Sequence, residues 1–225
     1  MTGVALAEEL LLLAYDDETG KATMSRIGLD LGMAAAVLVE LALAGRIAYA
    51  DGSLVATDPT PVGEPILDGV LGRIAADTPH TPSSWVQRLR HGLRDRILDD
   101  LVDRGVVRHV EETELGFIVV HRYPLADPSV EEDSRLRLAA ALAGGELPDE
   151  RTAALATLVA VLRMEPALGL TGQAAVDAHR WLEEIGGGAG FTGTVSLDDS
   201  LVRPSVALVI TALGQAVNAA LGPPR

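Results

Sequence analysis

Apolar residues recur mainly at three- and four-residue spacing along this chain, the spacing that draws a stripe down one face of an α-helix. It predicts helices over residues 4–15, 24–45, 64–76, 83–104, 129–143, 150–164, 173–185 and 204–221. Gly45 and Gly105 follow apolar runs, where a left-handed residue ends a helix, and Ser129 with Glu132 three positions on has the form of a capping box. Two extended pairs interrupt the helices. Residues 46–50 and 53–57 flank Asp51-Gly52, a dipeptide that supplies the positive backbone angles of a type I′ turn. Residues 106–110 and 117–122, joined by 111–116, suggest a second and longer hairpin. The connections are short and rich in proline and glycine, and none is long enough to separate domains. The expected architecture is therefore mainly α, a single globular domain over 1–225 with short β-hairpins.

Composition narrows this picture. Of 225 residues, 32 are acidic and 18 basic, giving a net charge of −14, and 48% are hydrophobic, which excludes disorder. The absence of cysteine excludes a disulfide framework, zinc fingers and iron–sulfur clusters. The five histidines, His80, His91, His109, His121 and His179, show no close metal-ligand spacing, so neither a metal nor another cofactor is expected. The start of the chain lacks a basic leader and meets Glu8 and Glu9 before its leucines. Glu40 interrupts one later apolar run, and Gln215 and Asn218 another, so no stretch of about 20 apolar residues is available to span a bilayer. A soluble cytoplasmic chain is expected. Lys21 is the only lysine, a bias that points to a GC-rich bacterial coding sequence.

Little in the sequence argues for catalysis. Nucleophile-elbow, zinc-protease and phosphate-loop motifs are absent, and the glycine run at 186–190 lacks the lysine and hydroxyl of a phosphate cradle. Asp16-Asp17, Glu131-Glu132 and Asp198-Asp199 fall where solvated turns or helix starts are expected. His179 and Glu183, four apart on a helix, read as a surface pair.

One segment stands out. Between Val86 and Arg96 the chain carries Arg88, Arg90, Arg94 and Arg96 against Asp95 alone, a basic island in an acidic molecule. Trp85, Leu89, Leu93, Ile97 and Leu101 form an apolar stripe at four-residue intervals, which sets the arginines beside or opposite it on one helix, with Gly92 its weakest point. Arg96 can pair with Asp99 or Asp100, and Arg104 with Asp100. On such a helix Arg90 and Arg94 lie one turn apart with Leu98 where a neutralising acid would stand, and an anion between them would relieve their repulsion.

Four blocks in order, Glu8-Glu9-Leu10-Leu11-Leu12-Leu13, Val39-Glu40-Leu41-Ala42-Leu43-Ala44-Gly45-Arg46-Ile47, Ile66-Leu67-Asp68 and Leu93-Arg94-Asp95-Arg96-Ile97-Leu98-Asp99-Asp100-Leu101-Val102-Asp103-Arg104-Gly105-Val106, resemble the Golgi phosphoprotein 3 family. The resemblance runs from about residue 5 to residue 170. It implies a central helical bundle surrounded by amphipathic helices. It also implies a non-enzymatic peripheral membrane adaptor that recognises phosphatidylinositol 4-phosphate and, in eukaryotes, contacts the cytoplasmic tails of Golgi glycosyltransferases. The family's lipid site combines a tryptophan and an arginine early in the chain with two arginines three residues apart on the later helix. Here Arg94 matches the second of those arginines and His91 stands at the first, while Ser25 replaces the tryptophan and Ala34 the early arginine. Arg26 and Arg90 adjoin the altered positions and can compensate. The resemblance thus implies an anion site of Arg94, His91, Arg90, Arg26 and Ser25, broader in selectivity than the family's. The hairpin tip at Leu115, Gly116 and Phe117 corresponds to a family element used for self-association and membrane contact, although Glu111, Glu112 and Glu114 surround it.

Two other readings compete. A helix, glycine stop and hairpin occur twice, as in winged-helix modules that bind nucleic acid or serve only for protein contacts, but the acidic balance argues against nucleic-acid binding. An enzyme acting on a phosphorylated metabolite would need a base beside the arginines, and His91 is the obvious candidate.

Overall fold

In the computed structural model, described over residues 4–115, 117–143, 147–185 and 202–221, the apolar stripes form α1 (Leu6–Leu13), α2 (Arg26–Leu43), α3 (Pro65–Ala76), α4 (Pro82–Leu89), α5 (Leu93–Asp103), α6 (Ser129–Leu142), α7 (Glu150–Val161), α8 (Gly172–Ile185) and α9 (Pro204–Leu221). Local chemistry fixes several of their starts. Ser25, Thr81 and Asp149 accept hydrogen bonds from the backbone N–H groups of Gly28, Ser84 and Thr152, satisfying donors that a first helical turn leaves open. Pro65 and Pro82 open α3 and α4, where a missing N–H costs nothing.

The centre of the bundle is α2, buried from Gly28 to Ala42 apart from the partly exposed Asp30 and Glu40, and packed against α1, α4, α5, α7 and α9. A methyl group added at Gly32 would meet the tip of the Leu162 side chain at 2.8 Å, so that leucine, just past the end of α7, would have to shift. Helix α7 is likewise buried along nearly its whole length.

The glutamates inside these apolar runs are not solvated interruptions. Arg151, from α7, reaches Glu9 Oε1 at 2.8 Å, Glu40 Oε1 at 2.5 Å and the Val4 carbonyl at 2.7 Å. Arg137 and Ser134, from α6, bind Glu9 Oε2 at 2.7 and 2.9 Å, and the Leu6 N–H donates to Glu40 Oε2. Glu8 pairs with Arg104 at 3.0 Å, but burial outweighs that arginine and raises its pKa. These charges tie α1, α2, α6 and α7 together inside the bundle.

The first hairpin, β1 (Ile47–Ala50) and β2 (Ser53–Ala56), turns through Asp51 and Gly52 at φ of +48° and +83°, as Asp-Gly requires. Gly45 and Gly105 follow α2 and α5 at φ of +69° and +71°. Three expectations are corrected. Residues 83–104 form two helices rather than one, because the chain breaks at Arg90–Gly92 and Gly92 takes φ +74°. The second hairpin pairs β3 (Val110–Glu114) with β4 (Ile118–Arg122), later in the first strand than expected, because Val106 and Val107 are buried and Val107 bridges to Leu125 instead. At α6 the cap is made by Asp127, which accepts from the N–H and hydroxyl of Ser129, so Ser129 lies inside the helix and makes no capping box. A short 3-10 turn, Glu165–Leu168, was not legible as an element. The glycine run at 186–190, Asp198-Asp199 and Gly116 lie outside the described residues.

Candidate functional site

The break at Gly92 reorganises the basic segment, and its arginines go to different places. Arg88, near the end of α4, lies over the Trp85 ring and pairs with Asp77 at 2.5 Å, so it serves the packing of α4. Arg94, in the first turn of α5 and only 12% exposed, lies 3.3 Å from Asp30 and 2.8 Å from Asp95. Burial opposes its charge, but Tyr15, Asp95 and Asp30 outweigh that and hold its pKa above the usual arginine value. Arg26 also reaches Asp95, at 3.5 Å, and Asp30, at 3.8 Å. Two guanidinium groups therefore share two carboxylates, and the positive charge expected at Arg94 and Arg26 is cancelled locally. Ser25 spends its hydroxyl on the cap of α2, and Ala34 is fully buried in the core.

Arg90 and Arg94 are not neighbours on one helix, since Arg90 ends α4 and Arg94 lies in α5. The repulsion that a continuous helix would impose is absent for that reason. Arg90 Nε instead donates to His91 Nε2 at 3.2 Å. Arg96 pairs with neither Asp99 nor Asp100, and Asp100 pairs with Arg104 at 3.2 Å.

Arg96 turns toward α3 instead. A cleft of about 70 Å³ runs between α3 and the α4–α5 junction, lined by Gly69, Val70, Arg73, Leu89, His91, Leu93 and Arg96. That space is several times the roughly 10–15 Å³ that one water requires. In a chain with 32 acidic residues the lining contains no carboxylate. Among the described residues neither Arg73 nor Arg96 has a carboxylate within 4 Å, whereas Arg26, Arg46, Arg88, Arg94, Arg104, Arg135, Arg137, Arg151 and Arg203 are all ion-paired. A Cβ at Gly69 would stand 4.0 Å from Arg96 Nη2, so the absence of a side chain there keeps the cleft floor open.

Arg73 carries no distinctive signal in the sequence, because one arginine near the end of an amphipathic helix looks like any solvated cation, and Arg96 does not take the partner that helical spacing offers it. The arrangement offers two forked donors and an imidazole over a partly apolar floor, which suits a phosphate-bearing anion.

Elsewhere, His179 is buried and pairs with Glu165 at 2.5 Å, which corrects its reading as a surface residue, while the Glu183 side chain lies outside what the structure describes. Strand pairing brings His109 and His121, twelve residues apart in sequence, to 2.9 Å. At the second hairpin, Leu115 and Phe117 are 82% and 78% exposed, with Ile118 and Val119 exposed behind them. No helix among the described residues is long and apolar enough to cross a membrane.

A family model described as Golgi phosphoprotein 3 (GPP34) matches residues 6–219. The vacuolar protein sorting-associated protein 74 of Eremothecium gossypii is 26% identical over 163 residues, covering 62% of this chain and 49% of that protein. Its counterpart in Schizosaccharomyces pombe is 25% identical over 164 residues, covering 62% and 48%. The chain spans about half the length of the curated relatives it matches.

Proposed function

The chain belongs to the Golgi phosphoprotein 3 (GPP34) family, and from that premise we propose that residues 1–225 form one non-enzymatic adaptor domain that docks on membranes by gripping an anionic lipid head group. The observation that carries this reading is the acid-free cleft of Arg73, His91 and Arg96, with Arg90 hydrogen-bonded to His91 at its edge. Of the residues expected from the resemblance, His91 and Arg90 stay in the binding role. Arg94, Arg26 and Ser25 do not line the cleft, the arginines being neutralised by Asp30 and Asp95 and the Ser25 hydroxyl capping α2. The head group is held by charge-assisted hydrogen bonds from two guanidinium forks. Phosphatidylinositol 4-phosphate belongs to the class bound, but with the family's early tryptophan and arginine replaced by Ser25 and Ala34, phosphate charge outweighs inositol identity.

The net charge of −14 does not prevent this, because charges farther away than a Debye length of about 8 Å at physiological salt are largely screened. It does oppose indiscriminate adhesion and binding to nucleic acid. The exposed Leu115 and Phe117, with Gly116 between them in sequence, supply the apolar contact, either to the bilayer or to a second copy through the open edges of a two-stranded sheet. Tails of membrane proteins are the expected cargo. The protein is placed on the cytoplasmic face of a membrane, and at the Golgi only in a cell that has one.

Flotation with vesicles of phosphatidylcholine alone, or with added phosphatidylinositol 4-phosphate or phosphatidic acid, tests the proposal. The parent chain is expected to float with both anionic mixtures, and Arg73→Ala/Arg96→Ala to remain at the bottom with each. Equal recovery of parent and double variant overturns it.

A further inference from the structure

The open end of the second hairpin carries a cluster that lipid docking does not use. In the β3–β4 register Glu111 lies opposite His121 and Val110 opposite Arg122, and just beyond that last pair the rings of His109 and Tyr123 stack. Side chains two apart on a strand share a face, which puts His109, Glu111, His121 and Tyr123 on one side of the ribbon. Arg122, on the other side, is drawn to Glu112 at 3.1 Å and leaves this face without an adjacent cation from its own strand.

The ligand atoms converge. His109 Nε2 and His121 Nδ1 are 2.9 Å apart, His121 Nδ1 and Glu111 Oε1 are 3.8 Å apart, and all three lie within 4.8 Å of one another. Around a tetrahedral zinc ion with bonds of about 2.0–2.1 Å, neighbouring donors stand about 3.3 Å apart. The separations of 2.9 and 3.8 Å bracket that spacing, so small rotations of exposed side chains bring the donors around a common point. The Tyr123 ring stacks on His109 at 5.2 Å with an interplanar angle of 13°, which holds one imidazole from behind.

We propose that His109, Glu111 and His121 form a binding site for a divalent transition-metal ion, zinc by the chemistry of the donors, with its fourth position open to water. Two imidazoles and a carboxylate on an exposed, acidic ribbon suit a borderline ion, whereas magnesium and calcium prefer oxygen donors. Because the ligands come from both sides of the ladder, the ion ties β3 to β4. An isolated two-stranded hairpin is marginally stable in water, so such a tie decides how firmly Leu115 and Phe117 are presented at its tip.

The test is titration of the full, metal-stripped chain with zinc in competition with a chromogenic chelator, backed by cobalt(II) absorption spectra. The expected result is one specific site per chain, weakened tenfold or more in His109→Ala and in His121→Ala, several-fold in Glu111→Gln, and unchanged in His91→Ala. Intense tetrahedral cobalt bands are expected in the parent and absent from the histidine variants. The exposed cluster lies outside the core, so far-UV circular dichroism should be the same for all variants. Zinc binding that persists unchanged in His109→Ala/His121→Ala, or a parent chain that takes up no zinc, overturns the assignment.

Discussion

Replacing Arg151 with methionine removes the hub of the buried ionic network while keeping an aliphatic stem of similar length. Two partners lose different things. Glu9, only 4% exposed, keeps Arg137 at 2.7 Å and the Ser134 hydroxyl at 2.9 Å. Glu40 loses its 2.5 Å ion pair and keeps one N–H donor, from Leu6. Breaking a buried pair by deleting one partner costs about 3–5 kcal/mol, because a charge stays behind in a poorly solvated place. Arg151 is itself 31% exposed and Glu9 retains a cation, so the lower end, about 3 kcal/mol, is expected here. With a urea slope of about 3 kcal/mol per M for a chain of this size, the midpoint should fall by about 1 M at unchanged slope. Adding Glu40→Gln to Arg151→Met should recover about 1 kcal/mol, since the unpaired charge is then gone. A midpoint within about 0.3 M of the parent, or a double variant that shows the sum of two independent losses, would refute the claim that these charges hold the helices together.

Other consequences are equally open to measurement. Burial raises the Glu131 pKa from its ordinary 4.5 to about 7, with the nearby Asp17 reinforcing the shift against Arg135. The unfolded chain then releases this proton first, so stability falls as pH rises from about 4.5 to about 7 and levels off above. Glu131→Gln should flatten that slope in thermal melts between pH 4.5 and 8, and an unchanged slope would show that Glu131 is not its source. Freeing Arg94 and Arg26 by Asp30→Asn/Asp95→Asn should increase recovery on anionic vesicles several-fold, whereas unchanged recovery would mean the pairing does not mask them. Gly69→Gln should fill the cleft floor and reduce flotation without lowering the urea midpoint; full flotation would place the head group elsewhere. Leu115→Asp/Phe117→Asp should leave thermal stability intact and lower either vesicle recovery or the apparent mass in sedimentation, and loss of neither would remove the tip from the account.

Helix positions, both glycine stops and the Asp-Gly turn could be read from sequence, because each is set by contacts within a few residues. The glutamates of α1 and α2 carried a usable signal, since a carboxylate inside an otherwise apolar helical run asks for a buried cation. Which arginine answered could not be read, because Arg151 and Arg137 lie more than a hundred residues away from Glu9. The break at Gly92 was visible as a weak point, yet its consequence was not: it sends Arg94 to Asp30 and Asp95 and leaves Arg96 facing α3. Arg73 joins Arg96 only through tertiary packing, and His109 meets His121 only through strand register. Local chemistry wrote the elements, while the site depends on how distant side chains divide the available counter-charges.

The most direct test of the cationic cleft is to follow arginine side-chain Nε–Hε resonances by NMR while adding soluble inositol 4-phosphate. Shifts at Arg73 and Arg96 that saturate together, with Arg94 and Arg151 unmoved, are the predicted result. Saturable shifts centred on Arg94, or none at Arg73 and Arg96, would contradict the account.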